Sequence, residues 1–472
     1  MMAPARAMTG THEVYRKLGS TGLRCHMLGF GCYRISSGDE VHEAALVSYL
    51  ERGGNLIDTS ANYTDGLSET LAGRVLAGRD RGKVIVVTKG GYIQGQNMAL
   101  AQRRNFPETV CYGEGIWHSI HPDFLETQVE RSLERMRLGK IDVYLLHNPE
   151  YFLTEKEHHG GPTPADHEEF YRRIRAAFRF LESQVERGSI DWYGVSSNNF
   201  GLPPSNRTMT SVARCLEEAR AVRDDHHFRV VQLPMNLYES GGALVANNRG
   251  RSVLAFCREE GLGVLVNRPL NAFSGRRMIR LADFVKPGEK PPGREALREI
   301  LAPLGAHEAR LGPELGVELA GGGDKGLAAL VEEIVPRLES PAHWEQAAGP
   351  NVIRPLQAWL GRCQEKLAHD MRWEAWQLDF IPLCNRAFEG VSRFLATREQ
   401  ALSDRVRKAL QAAGHPESRE TLSRMALNVL ASLPGLDCVL CGMRRTEYVA
   451  DAMGVAEMTP VEGLGILSNF QP

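Results

Sequence analysis

The sequence has no apolar run approaching the roughly 18 residues that span a bilayer, and no apolar stretch of about seven follows the basic residues of Met1 to Thr11. Neither a membrane segment nor a secretory leader is expected, and the location implied is cytoplasmic. An excess of one charge is also missing: 56 Lys and Arg stand against 58 Asp and Glu in 472 residues, so nothing draws the chain to nucleic acid or an acidic membrane surface. Cysteine is sparse. Nine residues scattered over this length make no dense disulfide framework. Only Cys438 and Cys441 form a CxxC pair, in a segment that reads as a strand, where residues three apart face opposite ways; core thiols are expected rather than a redox or metal pair. His158-His159 and His226-His227 lack metal-ligand spacing and read as solvated loop histidines. Internal repeats and low-complexity tracts are absent too.

What is present is a rhythm. Short apolar runs alternate with segments of helical period through the first 270 or so residues, the pattern of parallel strands joined by crossover helices. The runs are Asn55 to Asp58, Val84 to Lys89, Ile141 to His147, Ile190 to Val195, Val230 to Leu233 and Val264 to Val266. Their continuous apolarity suits strands covered on both faces. Leu125, Val129, Leu133 and Met136 predict a helix stopping at Gly139, and Ile174, Phe178, Leu181 and Val185 one stopping at Gly188. Residues 15–18 and 24–28 flank Gly19-Ser-Thr-Gly22 as a hairpin before a first strand near Phe30. Leu422 to Leu433, Leu436 to Cys441 and Glu447 to Met453 read as helix, strand and helix. Eight strands result, which a closed (β/α)8 TIM barrel explains better than a doubly wound sheet.

Between Ala272 and about Glu417 the rhythm stops. Lys286 to Gly293 and Ala320 to Gly323 read as linker and loop, whereas Leu356, Trp359, Leu360, Cys363 and Leu367 form a helical stripe. The domains expected are a barrel over 14–273 and 418–460, a mainly helical insertion over 274–417 after strand 7, and flexible termini at 1–13 and 461–472. A loop of that length leaves the catalytic face of a barrel, so the insertion is expected either to cover the mouth or to serve as an oligomer interface.

Four polar residues fall at or just past strand ends: Asp58, Tyr63, Lys89 and His147. Barrel topology gathers such positions on one face. Reduction of a carbonyl by hydride leaves an alkoxide that needs a proton, and a phenol beside a Lys ammonium has its pKa brought down toward that task. Asp58 would hold the buried ammonium, and His147 would orient the substrate oxygen.

At these residues the chain resembles the aldo-keto reductase family. Gly54 to Tyr63 with Gly66-Leu-Ser-Glu69 is similar to the family's G-x-N-x-x-D-T-A-x-x-Y signature and its G-x-S-E continuation; Thr88-Lys89, Leu145-Leu-His147 and the opening Leu18 to Leu23 match further motifs. The resemblance implies NADP(H) as preferred cofactor, with NAD(H) as the alternative, held without a Rossmann glycine fingerprint. It places Ser196, Ser197, or Asn198 if the register shifts, together with Gln232, at the nicotinamide carboxamide. An amide suits a carboxamide, which both donates and accepts; a buried core amide is the competing reading of Gln232. Asn267, Pro269 and Leu270 follow the seventh strand, with Asn267 where the family carries a stacking Tyr. Gly442, Arg444, Arg445, Tyr448 and Asp451 fall in the family's phosphate and adenine segment, where the arginines would clamp a 2′-phosphate or form a solvated face. Tyr33, Tyr112, Trp117 and His118 are the expected substrate contacts, the last three in a long segment, Gly90 to Pro122, expected over the site. The implied activity is reduction of an aldehyde, ketone or sugar carbonyl, with an aldose or alcohol dehydrogenase, or a cofactor-holding regulatory or scaffold protein, as rivals. The expected partner is a small-molecule carbonyl or alcohol.

Overall fold

The computed structural model describes residues 10–274, 277–285, 292–317, 326–338 and 340–471. Eight parallel strands close into a barrel: β1 (Leu28–Gly31), β2 (Leu56–Asp58), β3 (Ile85–Gly90), β4 (Ile141–His147), β5 (Ile190–Ser196), β6 (Phe228–Pro234), β7 (Gly263–Asn267) and β8 (Cys438–Cys441). They pair in chain order, and β8 closes the ring against β1 through Val439–Leu28 and Cys441–Phe30. Leu56, Ile85, Val87, Val143, Leu145, Val230, Leu265, Cys438 and Leu440 fill the interior. The expected hairpin forms from Tyr15–Lys17 and Arg24–His26, and its Leu18 and Cys25 join that interior cluster. Gly19, at φ +52, is required in this turn: a Cβ there would lie 2.3 Å from the Gly263 nitrogen.

Local sequence explains the crossovers. Helix Pro164–Glu186 starts with a capping box in which Thr163 and Asp166 satisfy each other's backbone N–H groups, with Pro164 in the first turn. Its stop at Gly188 is as expected, with φ +76. Helix Pro122–Met136 ends three residues before the predicted Gly139, because Arg137 itself adopts the left-handed conformation at φ 53.

The chain divides into two compact units, residues 282–408 and the remainder of the chain. The first of these is helical, with its own core: Trp373 and Trp376 stack at 5.4 Å, Phe380 lies 4.4 Å from Trp376, and Leu356, Trp359 and Cys363 of the predicted stripe are buried among them. Two elements were not expected in the stretch read as linker and loop, the hairpin Asn271–Ser274 with Arg277–Arg280 and helix Arg294–Glu308. The helix buries Leu297, Leu301 and Leu304, and this burial outweighs the Pro303 inside it. The loop readings at 286–291 and 320–323, and residues 1–9 of the flexible N-terminal end, lie outside the described residues. The remaining ends correct the flexible reading: His12 is buried with its Nε2 2.6 Å from Asn428 Oδ1, and helix Gly463–Asn469 buries Ile466 and Leu467. Among the described residues, no helix is long and apolar enough to cross a membrane.

The histidine doublets divide. His158 and His159 are exposed, but His226 is 5% exposed beside Arg229, and His227 meets Glu182 at 2.8 Å. The solvated reading fails for this second doublet because Glu182 gathers His227 and Tyr193 around a buried carboxylate. Cys438 and Cys441 are buried strand residues, and burial pushes the Cys441 thiol up to about 12. Among the described residues no group of three potential metal ligands forms.

Candidate active site

The C-terminal rim of the barrel collects the polar residues. Asp58 ends β2, Lys89 is the penultimate residue of β3, His147 ends β4, Ser196 ends β5, and Asn267 ends β7; Gln232 lies two residues from the end of β6. Below the rim the inward-facing positions of these strands, among them Leu56, Val87, Leu145, Val230 and Leu265, are apolar and packed, so the rim is where the topology can hold a buried charge.

Lys89 is fully buried and donates in three directions: to Asp58 Oδ2 at 2.8 Å, to the Thr59 carbonyl at 2.8 Å and to the Tyr63 hydroxyl at 3.3 Å. An ammonium has three N–H groups, so this set saturates it. The second Asp58 oxygen accepts from Gln232 Nε2 at 2.7 Å. Burial raises the Asp58 carboxyl above its ordinary range, and Lys89 and Gln232 oppose that rise. Tyr63 departs from expectation. Burial, then the Asp58 carboxylate, hold its hydroxyl well above the ordinary phenol value, where a lowering had been expected. Burial is the larger cause, and the ammonium does not undo it, because it lies closer to Asp58 and the Thr59 carbonyl than to the phenol. Tyr63 therefore keeps its proton at neutral pH.

The chain behind Tyr63 is strained. Thr64, Asp65 and Gly66 have φ of 46, 55 and 87. Left-handed non-glycine residues cost about 1 to 3 kcal/mol each. Thr64 Oγ1 donating to Ile35 O at 2.7 Å, and Gln96 N donating to Asp65 Oδ1 at 3.1 Å, pin the turn that aims the tyrosine.

His147 stands edge-on to Tyr63 at 5.9 Å. Its Nδ1 is 3.0 Å from Ser60 Oγ, which leaves Nε2 for a ligand. Burial and the nearby Lys89 charge hold its pKa well below the ordinary value, so the ring is neutral. The expected substrate residues divide here. Segment Gly90 to Pro122 folds as helix Gln96–Arg104 and a small antiparallel sheet of Tyr92–Ile93, Val110–Gly113 and Ile116–His118. His118 sits behind His147: its Nε2 is 2.7 Å from the His147 carbonyl oxygen, and burial lowers its pKa to about 4. A Cβ on Gly91 would come within 2.8 Å of that same oxygen, so only glycine leaves room for this brace. Trp117 packs against Ile93, Phe106 and Phe124 in the small sheet's own core. Tyr112 lies 4.6 Å from Tyr151, and exposed Tyr33 lies 5.3 Å from Tyr63.

Sequence reasoning overlooked Ser60, Tyr92, Asn148 and Tyr151. Asn148 Nδ2 donates to Tyr92 OH at 2.7 Å, and the Tyr92 ring lies 4.7 Å from His147 and 5.3 Å from Tyr151. The available signal was position, since Ser60 lies inside the Asp58 to Tyr63 motif and Asn148 directly follows His147.

The other side of the rim is built from neutral groups. Gln232, fully buried, accepts at Oε1 from Ser196 Oγ at 3.0 Å and from Asn267 Nδ2 at 3.2 Å. With Nε2 on Asp58, this favours the core-amide reading of Gln232 over the ligand reading. Ser197 is buried and accepts from Asn199 N, while Asn198 is exposed and its N–H donates to Glu150 Oε1 at 2.7 Å. Pro269 and Leu270 form the turn that leads into the hairpin after β7. In the last segment Gly442 is exposed, Tyr448 is 48% exposed, and Arg444 and Arg445 make no ion pair among the described residues. Arg445 caps helix Thr446–Met453 with backbone only. Asp451 does not face a ligand alone: it accepts from Thr421 Oγ1 at 2.8 Å and from Ser423, and pairs with Arg424.

Several known proteins are similar to this chain in sequence. A curated relative, the NADH-specific methylglyoxal reductase of Escherichia coli (strain K12), is 28% identical over 138 residues, 28% of this chain and 40% of that protein. Probable aldo-keto reductase 1 of Glycine max is 23% identical over 271 residues, 56% of this chain and 62% of that one, and aflatoxin B1 aldehyde reductase member 2 of Homo sapiens is 30% identical over 110 residues, 23% and 24% respectively. The chain thus matches less than two thirds of the length of each. Among solved structures, an aldo-keto reductase of Bacillus halodurans in holo form aligns over 98% of this chain and 97% of its own at 16% identity and a TM-score of 0.48. The sequence profile of the aldo/keto reductase family matches residues 27–301, more than half of the chain, and within that span lie Asp58, Tyr63, Lys89 and His147. This chain belongs to the aldo/keto reductase family.

Proposed function

We propose that this protein is an NAD(P)H-dependent oxidoreductase that reduces an aldehyde, ketone or sugar carbonyl to an alcohol, with Tyr63 as general acid. The observation that carries this reading is the saturation of Lys89. Because the Tyr63 oxygen accepts the third Lys89 N–H, its own proton is left for a ligand. A nicotinamide, when bound, supplies the hydride. An alkoxide is a far stronger base than a phenolate, so a tyrosine with a raised pKa withholds its proton from neutral solvent yet yields it to a carbonyl oxygen as charge develops there. Neutral His147, engaged only at Nδ1, offers Nε2 to hold that oxygen beside Tyr63. Asp58 holds the buried Lys89 nitrogen in place at 2.8 Å.

The rim fits a nicotinamide in one respect that a core would not require: Asn267 Oδ1 is buried with no hydrogen-bond partner among the described residues. Ser197, Asn198 and Asn267 would hold the ring's amide. Arg444 and Arg445, without an ion pair among the described residues at the start of helix Thr446–Met453, would hold a 2′-phosphate, which favours NADPH. The methylglyoxal and aflatoxin aldehyde reductases among the relatives support an aldehyde-type carbonyl. A protein that merely held the cofactor would have no use for the Tyr63–Lys89 pair.

The test is oxidation of NADPH and NADH with a panel of aldehydes, ketones and aldoses, in wild type and in Tyr63→Phe. The variant should lose about 10² to 10⁴ in kcat while its cofactor Kd, measured by fluorescence, is unchanged. No turnover with any carbonyl or alcohol, or a variant within threefold of wild type, would overturn the assignment.

A further inference from the structure

The direction of every amide between Asp58 and Asn267 follows from one carboxylate. Asp58 Oδ2 holds Lys89, and Oδ1, also part of the ionised group, accepts only. The atom 2.7 Å from it must be the NH2 of Gln232. Gln232 therefore turns Oε1 the other way, toward Ser196 and Asn267. Since Oε1 donates nothing, Asn267 must present its NH2, and its carbonyl oxygen Oδ1 is left over. That oxygen is buried and without a partner among the described residues. An acceptor in this state costs about 1 to 3 kcal/mol, and the penalty is relieved by any ligand that brings a donor.

We propose that Asn267 Oδ1 is the acceptor for the carboxamide N–H of a bound nicotinamide, so that Asn267 selects the amide by its nitrogen. The inference rests on the nicotinamide reading given above. Its chemistry is restrictive. Asn267 is tied to the reacting pair through only Gln232 and Asp58, so the part of the cofactor it meets is the ring that must approach Tyr63, and the carboxamide carries that ring's only N–H donors. The site donates nothing at this oxygen, so the amide's carbonyl end is refused. Gln232, with both ends engaged, acts as a positioning residue that sets which way Asn267 faces.

Binding of the oxidised cofactor can be compared with that of its 3-acetylpyridine analogue, in which a methyl replaces the amide NH2, by calorimetry or tryptophan quenching without any turnover. Wild type should bind the analogue about 5- to 150-fold more weakly. In Asn267→Leu, which keeps similar volume, the two should bind within twofold of each other; Asn267→Ala replaces it if the leucine variant does not fold. Equal binding of both cofactors by wild type would overturn the inference alone, as would discrimination that survives in the variants, which would assign the amide to Ser197 or Asn198. If wild type binds neither cofactor, the nicotinamide reading itself falls and takes the inference with it.

Discussion

The two sides of the barrel mouth are made of different materials. On β2, β3 and β4 the rim is ionic: a carboxylate, an ammonium, a phenol that keeps its proton and a neutral imidazole stand within hydrogen-bond or ring contact. On β5, β6 and β7 it is made of a hydroxyl and two amides, Ser196, Gln232 and Asn267, which carry no charge but have fixed directions. The difference separates two tasks. Charges buried at one place tune proton transfer, while oriented dipoles beside them discriminate one end of a neutral group from the other. Gln232 joins the two sides, with its nitrogen on the charge and its oxygen on the dipoles.

Removing the ammonium breaks the ionic side most severely. Lys89→Met leaves Asp58 buried and unpaired, and one-sided loss of a buried pair costs about 3 to 5 kcal/mol. Urea denaturation should show that loss, and Asp58→Asn in the same chain should recover much of it. A double variant as unstable as Lys89→Met would show that Asp58 is not what the lysine neutralises.

Glu150, just past β4, sharpens the comparison from the boundary between the sides. Burial pushes its carboxyl from an ordinary 4.5 up to about 7, although Asn198 N donates to it. A raised carboxyl contributes stability fully below pH 4.5 and loses it as pH rises through 7. Glu150→Gln should therefore gain on wild type by up to about 3 kcal/mol at pH 8, with little difference at pH 4.5. A pH-independent gap between the two denaturation curves would refute the buried titration.

The smallest effect is expected beyond β8, outside both sides. Arg444→Ala with Arg445→Ala should weaken NADPH by about ten- to a hundredfold, the value of a charge-assisted bond of about 1.5 to 3 kcal/mol, and leave NADH nearly unchanged. Equal weakening of both would remove these arginines from phosphate recognition.

Much of the ionic side was legible in the sequence, because Asp58, Lys89 and His147 end apolar runs whose strand character is unmistakable. The sign of the Tyr63 shift was not, since it depends on a 2.8 Å against a 3.3 Å contact and on burial that no spacing encodes. The neutral side was less legible still. That Gln232 is consumed internally follows only from Asp58's second oxygen, contributed by a residue 174 positions away. The partners of Asp451 were hidden for the same reason, as Thr421 and Ser423 reach it from another helix. Helix Arg294–Glu308 was missed although Leu297, Leu301 and Leu304 recur at helical spacing, because Pro303 and Gly305 interrupt it.

The order of the barrel strands also bears on how the chain reaches its native state. Strand β8 pairs with β7 at Leu265–Cys438 and with β1 at Val439–Leu28, yet residues 268 to 437 intervene on one side and nearly the whole barrel on the other. Loop-closure entropy grows only logarithmically, so this detour adds roughly 2 kcal/mol over a crossover of about 20 residues. The burden falls on rate instead, because pairings so distant in sequence form late. In pulse-labelled refolding the Val439 amide, which donates to the Met27 carbonyl at 2.8 Å, should be among the last in the barrel to gain protection. Until it does, the sheet remains an open seven-stranded arc with two unpaired edges, and a nascent chain stays in that aggregation-exposed form at least until Cys438–Cys441 has left the ribosome.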